Sequence, residues 1–357
     1  MCKKIHRGGN AEQYHADKKY KEAVAVAVEA CADDTKGQTC YICTQALHWK
    51  TKEGLVRGCS CRGTAGFAHV SCLAEQAKIL FTEAEENNLA EKACDERWKR
   101  WHHCSLCEQR HHGVVSCALG WACWKTYLGR PEEDFARGMA IDVLGNGLCE
   151  AGHFEDAVSV KEAELSMARR LGASEEELLT VQGNLAIIYE EMGRLDEAIR
   201  MKRDVYSARL KLGGEEHGKT LLAANNYASS LVDLKRCEEA KSLLRKSIPV
   251  ARRVLGEDDI TTFRMRMNYG KALYIADGAS LDDLREAVNT LEDTVRVARR
   301  IFGGSYPLVT SMQKFSQEAQ AALAIEEYLQ EARATLAVRH VESIRGAMAE
   351  MAPPGDA

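Results

Sequence analysis

The chain of 357 residues lacks the features that would assign it to a membrane or to nucleic acid. No apolar run approaches the ~20 residues that a bilayer-spanning helix needs. The most apolar stretch, residues 114–124 (VVSCALGWACW), is well short of that length. The formal net charge is −5, whereas general binding to nucleic acid requires a positive excess. We therefore expect no membrane and no nucleic-acid partner.

The sequence also lacks the motifs of the common enzyme classes. It contains no Ser-His-Asp set, no phosphate-binding loop and no HExxH motif. The basic start, MCKKIHRGGN, is not followed by the apolar segment of a signal peptide. We therefore expect a cytoplasmic chain, and in a reducing compartment spaced cysteines indicate metal binding rather than disulfides.

Cysteine is scarce over most of the chain and concentrated at one end. Of 14 cysteines, only Cys149 and Cys237 lie beyond residue 124. Hydrophobic content of 45% and charged content of 28% are ordinary for a globular protein. The uneven distribution predicts that the first third and the remainder are different kinds of structure.

Eight Cys and His residues in the first third form four closely spaced pairs. Closed structural zinc sites take four nitrogen or sulfur ligands, so four pairs predict two Zn²⁺ ions. The pair Cys59 and Cys61 would serve one ion, and His69 and Cys72 would serve the other. The four pairs are Cys40 and Cys43, Cys59 and Cys61, His69 and Cys72, and Cys104 and Cys107.

This ligand order resembles that of the RING-CH (RING-variant, C4HC3) zinc finger, and CRGTAGFAHVSCL is similar to the central segment of that family. The PHD finger shares the order and is the alternative. The chain differs from the RING-CH pattern in the long segment between Cys72 and Cys104. We predict that this segment forms one or two helices. His102 and His103 are alternative ligands to Cys104. The resemblance implies a cross-brace, with zinc 1 held by Cys40, Cys43, His69 and Cys72 and zinc 2 held by Cys59, Cys61, Cys104 and Cys107.

A repeat occupies the remaining two thirds. The segment NLAIIYEEMGRLDEAIRM (184–201) recurs as NYASSLVDLKRCEEAKSL (226–243), with further copies at 143–160 and 268–288. Each copy predicts two amphipathic helices joined by a tight turn. The pattern resembles the long tetratricopeptide repeats of kinesin light chains, which implies a solenoid that binds peptides or partner proteins in its groove.

Three asparagines, Asn184, Asn226 and Asn268, follow one another at intervals of 42 residues. The resemblance implies that asparagines at this position can hold a peptide backbone, because the side-chain amide both donates and accepts hydrogen bonds. The alternative is that they form hydrogen bonds within the array.

The predicted fold is mainly α, with a small cross-brace zinc-finger domain followed by an α-solenoid of helix-turn-helix (tetratricopeptide) repeats. The predicted segments are an N-terminal amphipathic helix at 1–36, the zinc finger with its helical insert at 37–112, connecting helices at 113–142, repeats at 143–325, and a C-terminal helix with a frayed tail at 326–357.

A RING-type finger joined to a protein-binding solenoid implies an E3 ubiquitin ligase. Its partners would be a ubiquitin-loaded conjugating enzyme and a protein substrate. The resemblance implies that Ile42 and Leu106 contact the conjugating enzyme, whereas each could instead only cap its zinc loop. RING ligases often carry a cation directly after the last ligand, but this chain has Glu108. The alternative function is a non-catalytic scaffold for protein–protein interaction.

Overall fold

The computed structural model describes residues 11–304 and 307–350, and over these residues the chain is mostly helical. The β-structure in the described part is limited to isolated bridges, so the predicted mainly α fold is confirmed. The first ten residues of the predicted lead-in and the predicted frayed tail beyond residue 350 lie outside the described residues. Over the described ranges no helix combines the length and apolarity needed to cross a bilayer.

The helices are numbered in chain order, with a 3₁₀ turn at Lys99–Trp101 following the third. They are α1 Ala11–Ala30, α2 Val70–Glu86, α3 Glu91–Trp98, α4 Gly113–Tyr127, α5 Phe135–Glu150, α6 Phe154–Arg170, α7 Glu175–Glu191, α8 Leu195–Gly213, α9 Gly218–Asp233, α10 Cys237–Val254, α11 Ile260–Tyr274, α12 Leu281–Phe302 and α13 Pro307–Glu350.

The chain divides into two compact units, Met1–Met201 and Lys202–Ala357. The first contains the cysteine-rich segment together with helices α1 to α7, and the second contains helices α9 to α13. Within the first unit, α5 pairs with α6 and α6 contacts α7. Within the second, each helix from α9 to α13 contacts the next, and α11 also contacts α9 and α13.

Capping side chains fix where several helices begin. Ser174 precedes α7, and its hydroxyl accepts the backbone N–H of Glu177 while the Glu177 carboxylate accepts the N–H of Ser174. Ser280 and Asp283 form the same reciprocal pair before α12. Such boxes satisfy backbone donors that the first helical turn leaves without partners.

The turn inside each helix pair has a residue with left-handed backbone. Gly152 (φ 78°) and Gly193 (φ 75°) hold this position in the first two pairs, and Lys235 (φ 58°) holds it in the third. Glycine adopts this conformation without the steric cost that a side chain brings. The repeat therefore has the same turn geometry even where the residue is lysine.

Helix α4 is the centre of the first unit. It contacts α1, α2 and α5, and nearly every turn carries a buried apolar residue. A helix that is apolar on all sides must be covered on all sides. The most apolar stretch of the sequence is therefore a core helix, and it joins the cysteine-rich segment to the first helix pair.

Four aromatic side chains pack the segment between Cys72 and Cys104 against α4. The ring centroids are 4.7 Å apart for Phe81 and Trp98, 5.3 Å for Trp98 and Tyr127, and 5.7 Å for Trp101 and Tyr127. Aromatic pairs in such arrangements contribute about 0.5–1.5 kcal/mol each beyond their buried area. The long segment therefore forms helices as predicted, and its aromatic side chains pack into the core of the unit.

A buried lysine connects α5 to α6. The Lys161 ammonium is fully buried, donates to Asp142 Oδ1 at 2.5 Å and lies 2.9 Å from Glu164 Oε2. Its stem occupies the space above Gly145, where a Cβ would lie 2.6 Å from Lys161 Cε. Burial raises the pKa of Glu164 to about 7. Removing one member of such a group would leave a buried charge without compensation.

The closest approach of α4 and α5 yields a stability prediction. A Cβ at Gly147 would lie 2.6 Å from the carbonyl oxygen of Ser116, which belongs to the backbone and cannot rotate away. We expect Gly147→Ala to lower the free energy of unfolding by about 1–3 kcal/mol through overpacking.

Gly138 in the same helix is the matched control, because a Cβ there would meet nothing within 4 Å. Gly138→Ala should raise the free energy of unfolding by about 0.5–1 kcal/mol through the better helix propensity of alanine. Both values can be measured by urea unfolding followed by circular dichroism. Equal effects of the two substitutions would contradict the packing described for α5.

Candidate metal centres and repeat surfaces

Two clusters of Cys and His side chains form in the first unit. Within each cluster the candidate ligand atoms all lie within 4.8 Å of one another. Each cluster offers four nitrogen or sulfur atoms and could therefore hold a metal ion. The first cluster is Cys40, Cys43, His69 and Cys72, and the second is Cys59, Cys61, Cys104 and Cys107.

The pairs alternate along the chain, so the first and third pairs meet in one cluster and the second and fourth in the other. An antiparallel bridge between Val56 and Ala68 aligns the two segments that lead to the second and third pairs. The Tyr41 N–H donates to the Phe67 carbonyl at 2.9 Å and holds the first pair beside the third. The arrangement has the interleaved connectivity of a cross-brace.

The first and last pairs adopt the same local loop. The backbone N–H of Ile42 donates to Cys40 Sγ at 3.4 Å, and the N–H of Leu106 donates to Cys104 Sγ at 3.4 Å. Backbone N–H groups directed at sulfur favour the thiolate, which is the form that binds metal. The spacing of two residues between the cysteines provides this geometry in both loops.

The residue after each of these loops has a left-handed backbone, with φ 60° at Thr44 and φ 54° at Glu108. The Glu108 carboxylate accepts two hydrogen bonds from the Arg100 guanidinium, at 3.1 and 2.8 Å. Arg100 also donates to the Cys104 carbonyl at 3.2 Å. The hydrogen bonds from Arg100 lower the pKa of Glu108. Arg100 precedes the Cys104–Cys107 loop in the sequence and thus stabilises it through these hydrogen bonds.

His69 is oriented as a ligand through Nδ1. This nitrogen lies 3.3 Å from Cys43 Sγ and 3.5 Å from Cys72 Sγ, while Nε2 lies 3.4 Å from the Ala46 carbonyl oxygen. A proton on Nε2 donated to that carbonyl leaves the Nδ1 lone pair facing the sulfurs. Burial lowers the pKa of His69, which favours the neutral imidazole that binds metal.

In the second cluster, burial and proximity oppose ionisation of Cys59 and Cys61 but favour the thiolate of Cys104. Burial raises the pKa of Cys61 to about 12. A hydrogen bond joins Cys59 to Cys104, and it raises the pKa of Cys59 while lowering that of Cys104 to about 4. Several thiolates in one small volume need a cation to balance them, and a divalent metal supplies that charge.

The donor sets fit zinc. Cys₃His and Cys₄ are both ligand sets of structural zinc sites, and soft thiolates select against Mg²⁺ and Ca²⁺. The alternative ligands His102 and His103 belong to neither cluster in the described part of the chain, although both are close to Cys104 in sequence. Bound zinc would hold the loops together and would supply no reaction chemistry.

An apolar groove of about 400 Å³ lies beside the first cluster. It runs between the loop that carries Ile42 and Trp49 and the face of α2 that carries Ile79 and Leu80. The Trp49 side chain is 69% exposed. Leu106, the second predicted contact, is 52% exposed but does not line this groove.

Two of the three predicted asparagines form equivalent hydrogen bonds between successive repeats. Asn184 Nδ2 donates to Asp142 Oδ1 at 3.4 Å, across an interval of 42 residues. Asn268 Nδ2 donates to Asn225 Oδ1 at 3.1 Å, across an interval of 43. Asn268 is also buried. These contacts favour the alternative that asparagines at this position stabilise helix packing.

Asn226 differs from the other two. The side chain is half-buried, and its Oδ1 accepts from Asn225 Nδ2 at 3.4 Å. Among the described residues its Nδ2 has no hydrogen-bond partner.

Sequence reasoning missed Arg100, Asp142, Asn225 and the groove formed by Trp49. The spacing of ligands or repeats does not indicate these residues, because each acts through a contact with a distant segment. The pairing of an acidic residue after the last ligand with a basic residue upstream could have suggested the Arg100–Glu108 contact.

The tetratricopeptide repeat family model matches residues 220–261. The match covers α9 and α10 and reaches the start of α11. It therefore confirms the predicted kind of repeat in this part of the second unit. No curated protein matches the chain.

Several solved structures resemble the chain weakly. BtubC (BKLC) from P. vanneervenii has 19% identity and a TM-score of 0.45, covering 81% of this chain and 95% of its own. A Podosopora anserina chain described as a kinesin light chain with nearly identical TPR-like repeats has 19% identity and a TM-score of 0.45, covering 58% and 97%. A Rap protein complexed with Competence and Sporulation Factor has 14% identity and a TM-score of 0.42, covering 71% and 72%. With TM-scores this low, these likenesses carry no argument about arrangement or function.

The two clusters generate a prediction about metal content. We expect native mass spectrometry of metal-replete protein to detect two zinc ions, since each cluster has a complete set of four ligands. Cys59→Ser should retain one ion, because serine is a poor ligand for zinc. Cys94→Ser, which changes a cysteine outside both clusters, should retain two. A wild-type protein with one zinc or none would contradict the assignment of two sites.

Proposed function

We propose that the chain is a zinc-binding, RING-type E3 ubiquitin ligase whose repeats recruit a protein substrate. The observation that carries the proposal is the apolar groove between α2 and the first metal loop, which is the loop that carries Ile42 and Trp49. It contains Ile42, which the family resemblance implies as a contact for the conjugating enzyme, and it exposes Trp49 beside it. An exposed apolar groove of this kind is a feature of protein-binding surfaces.

A ligase of this type needs no nucleophile. It increases the reaction rate by holding the ubiquitin-loaded conjugating enzyme in a reactive orientation, so catalysis depends on positioning. The groove supports this role because its two walls come from segments that share the first metal cluster. Cys43 and Cys72, which line the groove, belong to that cluster.

Glu108 is the feature that departs from the ligase pattern. An anion there cannot donate the hydrogen bonds that a cation would donate. Arg100 brings a guanidinium to the same loop, with its side chain 14% exposed. Its bonds to Glu108 and to the Cys104 carbonyl occupy several of its donors, so the proposal depends on the groove rather than on this loop.

The repeats supply the site for the substrate protein. Tetratricopeptide repeats bind partners through the exposed faces of successive helices. In the described part of the second unit, Asn226 on α9 has a half-buried side chain whose Nδ2 lacks a hydrogen-bond partner. We assign the peptide-binding role to Asn226, and a packing role to Asn268.

The ligase proposal is tested by autoubiquitination with a panel of conjugating enzymes. We expect the wild type to form ubiquitin chains and Ile42→Ala to lose them, because the alanine removes an apolar contact but none of the eight cluster residues. Leu89→Ala is the control, since Leu89 is exposed but lies outside the groove. It should retain activity.

Zinc content should be measured for every variant, so that lost docking can be distinguished from lost metal. If the wild type holds both zinc ions and forms no chains with any member of the panel, the ligase proposal is wrong. In that case the alternative stands, namely a zinc-finger and repeat scaffold that binds proteins without catalysis.

The two asparagines can be compared directly. Asn268→Ala should lower the free energy of unfolding by about 1–3 kcal/mol, because it leaves the buried Asn225 side chain without its donor. Asn226→Ala removes only the longer bond of 3.4 Å from Asn225 Nδ2 and should lower it by less than about 1 kcal/mol. Its effect should instead be on binding, with a loss of about 1–3 kcal/mol for a peptide selected on the wild type from a random displayed library. Early melting of Asn226→Ala with normal peptide binding would contradict this assignment.

A further inference from the structure

A second cleft, of about 720 Å³, opens beside the apolar groove. The two share a wall formed by His48, Trp49, Ser71 and Glu75. The cleft is enclosed on its far side by α1, which lies outside the segment that resembles a zinc finger. An occupant of the groove that contacts Trp49 would therefore also meet α1 and the cleft.

Helix α1 is attached at this cleft by several specific contacts. The Tyr20 hydroxyl lies 3.1 Å from Ser71 Oγ, and the Lys125 ammonium lies 4.1 Å from the centre of the Tyr20 ring. Gln13 Nε2 donates to the Lys125 carbonyl at 3.2 Å, and Asp17 lies 3.4 Å from Lys125 Nζ. These contacts join α1 to both α2 and α4, so the far wall of the cleft has a fixed position.

The cleft carries exposed cationic side chains. It is lined by three lysines, Lys50, Lys78 and Lys125, and by two carboxylates, Asp17 and Glu75. Lys125 is paired with Asp17, whereas Lys50 and Lys78 are exposed and have no ion-pair partner among the described residues. The nearby carboxylates are Glu75 and Glu53, and Glu53 accepts hydrogen bonds from the Ser71 N–H and hydroxyl. Lys50 and Lys78 are therefore the exposed cations that an acidic partner would meet.

We propose that this cleft extends the docking groove and selects a conjugating enzyme that presents carboxylates next to the apolar residues entering the groove. The inference rests on the proposed ligase function and adds a basis for partner choice. Charges at the edge of an interface mainly set the association rate and the choice of partner. Lys50 and Lys78 are thus specificity residues, whereas Ile42 and Trp49 supply apolar contact.

The test measures binding of the full chain to a panel of purified conjugating enzymes by biolayer interferometry, at low and at high salt. The charge-reversed variant Lys50→Glu/Lys78→Glu should bind its best partner at least about tenfold more weakly than the wild type at low salt, since like charges then face each other. The difference should shrink at high salt, because exposed charges are screened. Lys21→Glu/Lys92→Glu reverses two exposed lysines outside the cleft and should bind as the wild type does.

The outcomes separate this inference from the proposed function. If Ile42→Ala loses binding but the reversed cleft binds normally, the cleft does not select the partner and the inference is wrong, while the ligase proposal stands. If no enzyme of the panel binds wild-type protein that holds both zinc ions, both are wrong. Zinc content and circular dichroism of each variant exclude misfolding as the cause of a loss.

Discussion

The interleaving of the four ligand pairs is the constraint on which the first unit depends. Each cluster takes one pair from early and one from late in the segment, so neither can be completed by local folding. With zinc bound, such sites provide roughly 10–16 kcal/mol of apparent binding energy in small domains. Metal binding would therefore be coupled to the folding of this segment.

Helix α4 connects the segment that contains the clusters to the repeats. The His112 N–H donates to the Gly58 carbonyl at 2.8 Å. Gly58 immediately precedes Cys59 of the second cluster, and His112 immediately precedes α4. A Cβ at Gly58 would lie 2.5 Å from Val115, so the ligand loop rests directly on the helix. Since α4 also packs against α5, one continuous core extends from the cluster to the first helix pair. A terminal repeat needs a cover on its outer face, and α4 provides it.

The ligands and the repeats could be predicted from sequence because their signals are local spacings. The two-residue interval in the outer pairs directs backbone N–H groups at sulfur, and the interval of about 42 residues follows from one helix pair per repeat. The partners of the repeated asparagines could not be predicted, because Asp142 and Asn225 become neighbours of Asn184 and Asn268 only after successive repeats pack. The burial of Lys161 likewise could not be predicted, because it results from the packing of α5 against α6.

The position of the groove explains why a metal cluster without reaction chemistry can matter for function. Its walls are the first metal loop and α2, and the two segments contribute Cys43 and Cys72 to one cluster. Bonds from those cysteines to one metal ion would therefore fix the separation of Ile42 from Ile79. A docking surface that acts by orientation loses its effect when its walls move by an ångström or so. Zinc at the first cluster would thus affect partner binding by fixing the width of the groove. Zinc at the second cluster would affect partner binding by holding α4 in place.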